Sequence, residues 1–473
     1  MLISAKNIVL PEEVVLPLSK SESNRALMIM RYAESQSHKV VESQSVMSDS
    51  DDTVLLQKHL NTINQYIKDC EQGLLSVDCC PLTLDCHNAG TVFRFLMTAV
   101  AMQCTMNNLQ CTIYNEELTI LLTGSDRMKQ RPIDSLVDAL RSLGVSIEYA
   151  EKECFPPILI KSPIIELPTD YTDLHRCYSS KTDARDLRRL EISVEQSSQF
   201  ASSLLLAAPL WKNGLELHLT GNLSSLPYID MTINMMRACG IDVVRNERVV
   251  KVNPGEYNCD AIKIEPDWSA AAFWYEIVAL SDNSEVLLKN LNINSLQADA
   301  TAIKVFKELG VETIVDKEGV VVRKTKGERQ TAKVLVQSSK FNSHSSKFNF
   351  QHCPDLFPAV IATCAGLCID AEFSGLKNLS IKESDRKQAM IDELTKTNIS
   401  FEIISDDILR MRCPKELPYF TEENPIVFNN YGDHRIAMAL APLAMKVGFV
   451  EMENTEVVSK SYPGFFEEFT IDS

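Results

Sequence analysis

Residues 139–145, Ala-Leu-Arg-Ser-Leu-Gly-Val, open a series of four similar stretches. The other three lie at residues 235–241, 305–311 and 394–399. Each stretch carries Gly or Asn where a helix would end, and both residues accept the left-handed conformation common at helix C-termini. The alternating residues that follow, such as 145–148, favour a half-buried strand. The pattern predicts a helix–Gly–strand unit that recurs along the chain.

Upstream of each of these stretches lies a second helix with a polar first turn, and the two helix starts are about thirty residues apart in most cases. The paired starts are Ser21 with Asp51, Ser198 with Asp230, Asp267 with Asp299, and Asp355 with Asp385. Because this spacing leaves room for a strand between the two helices, we predict a βαβαββ-like unit present five or six times. The fold class is therefore α/β, or α+β, built by repetition.

Length and composition limit the class of protein. A chain of 473 residues with 45% hydrophobic residues can bury a large core and favours two domains. The net charge of −17 argues against a nucleic-acid partner. We see no apolar run long enough for a membrane helix and no secretion signal in residues 1–13, so we expect a cytoplasmic location and no membrane. The fourteen cysteines are diluted among apolar neighbours, and we expect reduced thiols.

Cations stand in the first turns of several predicted helices, where they oppose the helix dipole. They are Lys20 and Arg25 around Ser21, Arg94 after residues 88–91, Arg127 and Arg131 before a helix at Pro132, Lys382 and Arg386 around Glu383, and Arg435 after Asp433-His434. Helix N-termini with Lys or Arg beside them bind phosphate and carboxylate groups. The pattern indicates sites for small anionic ligands.

Residues 16–25, Leu-Pro-Leu-Ser-Lys-Ser-Glu-Ser-Asn-Arg, resemble the N-terminal signature of the EPSP synthases. Further landmarks follow in the order of that family, at residues 88–94, 123–132, 197–200, 227–230, 354–355, 382–386, 433–435 and 460–463. The resemblance runs from residue 16 to residue 466.

The resemblance implies a two-domain, inside-out α/β barrel of the enolpyruvyl transferase type, with three βαβαββ-like repeats in each domain. We place the domains at residues 1–19 with 264–473, and at residues 20–263. Helix N-termini would then face a cleft between the domains, which is where ligands commonly bind.

The resemblance also implies transfer of the enolpyruvyl group of phosphoenolpyruvate to the 5-hydroxyl of shikimate 3-phosphate, without a cofactor or metal. Such a reaction needs a base for the hydroxyl and a group that exchanges a proton at C3. By resemblance, Asp355 is the base, Glu383 exchanges the C3 proton, and Lys20 lies between the two substrates.

The remaining site residues also come from the resemblance. The positions that match shikimate 3-phosphate binding are Lys20, Ser21, Arg25, Ser197, Ser198, Gln199, Ser225, Asp355, Asn378 and Lys382. The positions that match phosphoenolpyruvate binding are Lys20, Gly90, Arg127, Gln199, Arg386, Arg435 and Lys460. Tyr228 could contact the shikimate ring or pack in the core.

Several residues depart from the family pattern. Leu18 and Phe95 replace a common Gly and Pro, and Glu195-Gln196 replaces an Asp-Gly form. The segment 164–190 is longer than expected, and we interpret it as a surface insertion.

Two other functions stay open. The enolpyruvyl transferase that uses UDP-N-acetylglucosamine shares the fold but needs a reactive loop Cys, and residues 19–25 and 197–199 favour shikimate. A non-catalytic ligand-binding relative would lack the acid/base pair, whereas Asp355 and Glu383 are both present. Nucleotide-binding fingerprints do not occur in the sequence. We expect a monomer.

Overall fold

A computed structural model describes most of the chain, namely residues 1–6, 8, 10–37, 46–72, 81–106, 119–161, 188–223, 225–259, 261–282, 284–325 and 346–470. The predicted insertion at 164–190 lies outside the described residues as far as residue 187, and Arg188 begins a strand. None of the helices within these ranges is long and apolar enough to span a membrane.

The described part of the chain contains thirteen α-helices. They are α1 (Lys20–Ser37), α2 (Asp51–Glu71), α3 (Gly90–Met106), α4 (Asp134–Ser142), α5 (Ser198–Ala207), α6 (Leu226–Ala238), α7 (Trp268–Leu280), α8 (Ala302–Glu308), α9 (Phe357–Gly366), α10 (Arg386–Thr395), α11 (His434–Leu440), α12 (Ala444–Val447) and α13 (Phe465–Phe469). Short 3-10 turns at Met128–Gln130, Pro354–Leu356, Lys377–Ile381 and Thr455–Lys460 contribute residues to the site described below.

The strands of the described residues form five sheets. The strands are β1 (Leu2–Ser4), β2 (Glu13–Val14), β3 (Leu82–Asp85), β4 (Thr119–Thr123), β5 (Ser146–Tyr149), β6 (Ile158–Lys161), β7 (Arg188–Ser193), β8 (Leu215–Thr220), β9 (Val243–Asn246), β10 (Val249–Val252), β11 (Glu285–Lys289), β12 (Val311–Val315), β13 (Gly319–Lys324), β14 (Ser346–Asn349), β15 (Ala371–Ser374), β16 (Ser400–Ile403), β17 (Leu409–Arg412), β18 (Ile426–Phe428) and β19 (Phe449–Met452).

Four of these sheets have one topology. Their orders are β3-β4-β6-β5, β7-β8-β10-β9, β2-β11-β13-β12 and β14-β15-β17-β16, and the fifth sheet is β1-β19-β18. In each four-stranded sheet the first two strands are parallel and the remaining pairs are antiparallel. Read along the chain, three of these units are βαβαββ, and in the fourth the chain from α1 to β10 is inserted between β2 and α7. The predicted repeat unit is confirmed in four sheets of the described residues.

Residues 144, 240, 310 and 398 end the helices of the repeat. Gly144, Gly240, Gly310 and Asn398 have positive φ angles of 91°, 85°, 83° and 63°. The strands β5, β9, β12 and β16 begin within three residues of them. The helix–Gly–strand prediction is confirmed at all four places.

Two hydrophobic cores divide the molecule. Residues from Ile3 to Leu16 and from Trp268 to Phe469 form one core, and we name this part the first lobe. Residues from Ala26 to Ile264 form the other core, in the second lobe. The helices α7, α9 and α11 pack together in the first lobe, and α1, α3 and α5 pack together in the second. Helices therefore lie inside and sheets outside, which agrees with the predicted inside-out architecture.

Two of the expected helix starts were wrong. Asp230 lies in the second turn of α6, which begins at Leu226 because Pro227 suits the first turn of a helix. The helix expected at Pro132 begins at Asp134.

The chain passes between the lobes at two adjacent segments. Ser19 donates its backbone N–H to Glu265 O at 2.8 Å, and Asp267 donates to Pro17 O at 2.9 Å. Leu18 and Pro266 form a β-bridge between these bonds. The two crossings thus support each other as a short two-stranded connection.

Candidate active site

The N-termini of the central helices of both lobes meet at one cleft. The starts of α1, α3, α5 and α11, together with the turn before α9, contribute residues to its lining. The predicted site residues that line the cleft are Lys20, Ser21, Arg25, Gly90, Ser197, Ser198, Gln199, Ser225, Asp355, Asn378, Lys382, Glu383, Arg386 and Arg435. Arg127 and Lys460 lie at its edge and are described below.

Arg386 is the centre of the charged network on the first-lobe side. Its side chain is 1% exposed, and it donates from Nε to Asp433 Oδ2 at 2.8 Å. It also donates from Nη1 to Asp355 Oδ1 and from Nη2 to Glu383 Oε2, both at 2.8 Å. Burial alone would lower the pKa of Arg386, but the three carboxylates raise it above its ordinary value. The guanidinium therefore stays charged and fixes both predicted catalytic carboxylates.

Asp355 lies among three cations. Besides Arg386, Arg435 Nη2 is 3.1 Å from Oδ2 and Lys382 Nζ is 3.5 Å from Oδ1. Burial raises the pKa of the Asp355 carboxyl, but the positive charges outweigh it and hold the pKa well below its usual range. Asp355 is ionised and can accept a proton or hydrogen bond from a ligand.

Glu383 has a similar environment. Burial raises the pKa of its carboxyl, whereas Arg386 and Lys460 lower it, and the balance lies well below the ordinary value. Lys460 Nζ is 3.9 Å from Glu383 Oε1 and donates to Asn88 O at 2.8 Å. Lys460 therefore lies beside the predicted proton-exchanging group although it is not part of the cleft lining.

Lys20 begins α1 and is paired with Asp52 of α2. Lys20 Nζ is 3.0 Å from Asp52 Oδ2, and the two side chains are 12% and 7% exposed. Lys460 of the other lobe approaches the same carboxylate at 3.9 Å. Asp52 thus orients two lysines toward one edge of the cleft.

Arg25 holds three helices of the second lobe together. It donates to Ser21 O at 2.7 Å, to Thr232 Oγ1 at 2.7 Å, to Ser202 Oγ at 3.3 Å and to Tyr228 O at 3.2 Å. Burial lowers the pKa of Arg25 to about 10. Four of the five N–H groups of a guanidinium are thereby used within the protein.

Gln199 and its neighbours order the starts of α3 and α5. The Gln199 amide donates to Thr91 Oγ1 at 2.6 Å and accepts from Arg94 Nη1 at 3.0 Å. Ser197 caps α5, since its Oγ accepts the Gln199 backbone N–H at 3.2 Å. The Ser and Gln side chains of this turn therefore face the cleft from a fixed backbone.

Gly90 has no room for a side chain. A Cβ built there would lie 2.4 Å from Arg94 Nη1 and 2.6 Å from Arg131 Nη1. Two guanidinium groups therefore approach the first residue of α3 directly.

Arg127 bonds across the cleft to the other lobe. It donates from Nη2 to Ser380 O at 2.7 Å and from Nε to Lys382 O at 3.0 Å. The sequence indicated Arg127 as a ligand contact, but the backbone carbonyls of the first lobe occupy two of its nitrogen atoms here.

Tyr228 also connects the lobes. Its ring packs against the first-lobe core, and its hydroxyl donates to Asp355 Oδ2 at 3.4 Å. Ser225, at the start of α6, donates its N–H to Gln351 O at 3.0 Å. Tyr228 also lines the cleft, so both roles left open for it, core packing and contact with the shikimate ring, stay predictions.

Sequence reasoning missed the partners of the site cations, since Asp433 and Asp52 neutralise Arg386 and Lys20. Arg94 and Arg131, which the sequence indicated as cations near predicted helix starts but not as substrate contacts, line the cleft together with His434. Asp433 caps α11 by accepting the Arg435 N–H at 3.0 Å, so the motif Asp-His-Arg carried a capping signal that could have identified it.

Metal ligands do not cluster in the part of the chain described above, where no group of three His, Cys, Asp or Glu side chains is placed to hold an ion. The cleft instead combines cations from both lobes with two ionised carboxylates. It can bind anions and move protons at a neighbouring atom.

Comparison with known proteins gives consistent results. The family model for EPSP synthase (3-phosphoshikimate 1-carboxyvinyltransferase) matches residues 6–469. A 3-phosphoshikimate 1-carboxyvinyltransferase of Bacteroides fragilis is 34% identical over 460 residues, which cover 96% of this chain and 93% of the relative. The enzyme of that name from Vibrio vulnificus is 28% identical, with 96% and 95% covered.

Solved structures share the fold. An EPSP synthase from Acinetobacter baumannii has a TM-score of 0.64 at 19% identity and covers 99% of this chain and 96% of its own. The enolpyruvyl transferase NikO from Streptomyces tendae has a TM-score of 0.60 at 13% identity, with 99% and 96% covered. These similarities confirm the predicted enolpyruvyl transferase-like fold.

Proposed function

The chain belongs to the EPSP synthase family, the 3-phosphoshikimate 1-carboxyvinyltransferases, and on that premise we propose how its own side chains carry out the reaction. It is a transferase that moves the enolpyruvyl group of phosphoenolpyruvate to the 5-hydroxyl of shikimate 3-phosphate. The products are 5-enolpyruvylshikimate 3-phosphate and phosphate, on the route to chorismate and the aromatic amino acids. The family match favours this function over transfer to UDP-N-acetylglucosamine and over a non-catalytic role.

Asp355 is the proposed base. When phosphoenolpyruvate binds and shares Arg386 and Lys460 with Glu383, Glu383 takes up a proton from solvent. In the first step the 5-hydroxyl attacks C2 of phosphoenolpyruvate and gives its proton to Asp355, while C3 takes the proton from Glu383. The observation that carries this assignment is the fork of Arg386, which binds Asp355 and Glu383 at 2.8 Å each. One guanidinium thus holds the two carboxylates beside each other through its Nη1 and Nη2 atoms, and such fixed positions favour proton transfer to and from a ligand bound next to them.

Glu383 is the proposed proton exchanger at C3. In the second step the C2–O bond to phosphate breaks, phosphate leaves with the electron pair and with the proton that Asp355 had accepted, and Glu383 takes a proton back from C3. A group that first gives and then accepts a proton needs a pKa that ligands can shift. Lys460, at 3.9 Å, and Arg386, at 2.8 Å, are cations that a bound anion would share with Glu383.

The substrate contacts are proposed on the same basis. Shikimate 3-phosphate would bind Lys20, Ser21, Arg25, Ser197, Ser198, Gln199, Ser225, Asp355, Asn378 and Lys382. Phosphoenolpyruvate would bind Lys20, Gly90, Arg127, Gln199, Arg386, Arg435 and Lys460. Arg127 donates to two backbone carbonyls of the first lobe, so it would have to release one of them in order to contact the ligand.

We also propose two domains, residues 1–19 with 264–473 and residues 20–263. The separate cores support this division, with the second crossing between Ile264 and Trp268. We propose further that the protein is a monomer in the cytoplasm and uses neither a cofactor nor a metal. It would have no nucleic-acid partner, which the net charge of −17 supports.

Phosphate release tests the proposal directly. Purified protein in EDTA should release inorganic phosphate from phosphoenolpyruvate when shikimate 3-phosphate is present. UDP-N-acetylglucosamine in its place should give no release. Asp355→Ala and Glu383→Gln should stay folded and lose turnover by about two orders of magnitude or more. Wild-type turnover in either variant would contradict its assigned role.

A further inference from the structure

A buried carboxyl group lies at the connection between the two lobes. Glu22 is in the first turn of α1 in the second lobe and is 5% exposed. Its Oε2 accepts the Glu265 N–H at 2.8 Å. Glu265 is part of the crossing, which we define as residues 17–19 and 265–267, and its carbonyl accepts the Ser19 N–H at 2.8 Å. A side chain of the second lobe therefore binds the backbone of the connection directly.

The crossing is where one lobe can turn against the other. Hinges between domains are a few residues at the ends of elements that absorb large backbone rotations, and the two segments of the crossing lie directly before α1 and α7. In this structure the lobes meet across the cleft, for example where Arg127 donates to the carbonyls of Ser380 and Lys382. The Glu22 contact thus belongs to an arrangement in which the lobes are close together.

The charged groups that face Glu22 are two carboxyl groups of the crossing, Glu265 and Asp267, and one guanidinium of α1, Arg25. Glu265 Oε1 accepts from Asn292 Nδ2 at 3.0 Å, whereas Oε2 is buried and has no hydrogen-bond partner among the described residues. Arg25 donates to partners within the second lobe. An ionised Glu22 would therefore add a further carboxylate to a buried acidic cluster that has one cation.

Burial decides the protonation of Glu22. A carboxylate in the first turn of a helix is ordinarily stabilised by the helix dipole, and the Glu265 N–H and Arg25 also favour the charged form. Burial, the largest effect, acts together with repulsion by Glu265 and Asp267 and raises the pKa of Glu22 from 4.5 to about 7.

The sign of the pH dependence follows from this raised pKa. An arrangement that buries Glu22 binds its proton more tightly than one in which water reaches the carboxyl group. The buried arrangement is therefore favoured most at low pH, loses that advantage as the pH rises from about 4.5 to about 7, and loses no more above this range.

We propose that Glu22 is a pH-sensitive switch at the hinge between the lobes: with its proton it holds the crossing in the closed arrangement, and without it the crossing opens and water reaches the carboxylate. The inference does not depend on the reaction that the cleft performs. Glu22 lies between Ser21 and Ser23 in the sequence, but it is not part of the cleft lining. A substitution there leaves the side chains of the cleft in place.

The test follows the full chain without ligands between pH 5 and pH 8, in buffers without phosphate. Small-angle X-ray scattering gives the radius of gyration, which reports the separation of the lobes. Hydrogen exchange in peptides that cover residues 15–22 and 263–268, corrected for the intrinsic rate, reports opening of the crossing. The variants are Glu22→Gln, which keeps an oxygen to accept the Glu265 N–H, and Glu256→Gln, a matched control that removes an exposed carboxylate of the same lobe.

The radius of gyration of the wild type should increase from pH 5 to pH 7.5 and then level off. The opening constant of the crossing should rise roughly tenfold to a hundredfold over the same range, which corresponds to a pKa difference of about one to two between the two arrangements. Glu22→Gln should stay compact up to pH 8 and keep slow exchange at the crossing, and Glu256→Gln should follow the wild type.

Three outcomes contradict the inference. One is a radius of gyration of the wild type that does not change between pH 5 and pH 8. Another is a folded Glu22→Gln variant that opens with pH as the wild type does, because a different group would then carry the response. The third is a Glu22→Gln variant that does not fold, which would make the carboxyl group a structural acceptor. Circular dichroism separates the last two cases.

Discussion

Replacing Asp355 by Asn should reduce turnover and strengthen donor binding at the same time. The substitution keeps the size of the side chain and removes one charge from among Arg386, Arg435 and Lys382, which approach its oxygens to 2.8, 3.1 and 3.5 Å. Loss of a general base costs about two to four orders of magnitude in rate.

The gain in affinity follows from competition. Asp355 and an incoming anion share the same cations, and a charge pair near 4 Å is worth about 4 kcal/mol at an effective dielectric constant of 20. A ligand replaces only part of that interaction. We therefore expect phosphoenolpyruvate to bind Asp355→Asn about tenfold to a hundredfold more tightly, which is roughly 1.4 to 2.7 kcal/mol.

Phosphate release measures turnover, and titration calorimetry with shikimate 3-phosphate present measures binding. Asp392→Asn, an exposed carboxylate of the same lobe, is the control for the loss of charge. Circular dichroism shows whether the variants are folded. A folded Asp355→Asn variant with wild-type turnover would remove Asp355 from the base role, and weaker donor binding would refute the competition argument.

Three further predictions concern other groups. Binding of phosphoenolpyruvate should be accompanied by proton uptake, which grows as the pH falls, because the anion draws Arg386 and Lys460 away from Glu383 and the depressed pKa of Glu383 then rises. Calorimetry in buffers of different ionisation enthalpy measures the uptake, and Glu383→Gln should abolish it. Glu276 is 0% exposed, neither of its carboxyl oxygens has a hydrogen-bond partner among the described residues, and burial raises its pKa well above the ordinary 4.5. The folded state therefore holds the proton, and the free energy of unfolding falls as the pH rises above 4.5, by up to about 1.4 kcal/mol per pH unit. Glu276→Gln should flatten this slope in urea unfolding, and an unchanged slope would contradict it. Glu195 pairs with Lys377 across the edge of the cleft at 2.5 Å with both side chains about half exposed, so Glu195→Lys should raise the KM for shikimate 3-phosphate only about twofold to fivefold, and the double swap with Lys377→Glu should restore it.

Local signals predicted the repeat because they act within a few residues. Gly144 and Asn398 mark helix ends, because the left-handed conformation that they adopt depends on the residue itself and on its own turn. The start of α6 was misplaced for the same reason: Asp230 is a good capping residue, but Pro227 lets the helix begin earlier.

Motif resemblance predicted most of the cleft lining but not the neutralising partners. Arg127 was assigned to a ligand, yet it bonds to two backbone carbonyls of the other lobe. Every residue carries a carbonyl, so no pattern in the sequence marks Ser380 O and Lys382 O as acceptors. The pairing of Lys20 with Asp52 likewise joins two helices whose relative position only the packed lobe defines.

The sheet that contains β2 has a consequence for the order in which the chain can fold during synthesis. Glu13 and Val14 pair with Leu287 and Leu288, and Leu2 pairs with Glu451. On the ribosome, the whole second lobe emerges between the first pair of partners and can collapse alone. The first lobe must wait, with its earliest strands unpaired, until almost the entire chain has been translated. Contacts of such long sequence separation form slowly, so newly made protein should pass through an intermediate with one folded lobe and an exposed N-terminal segment.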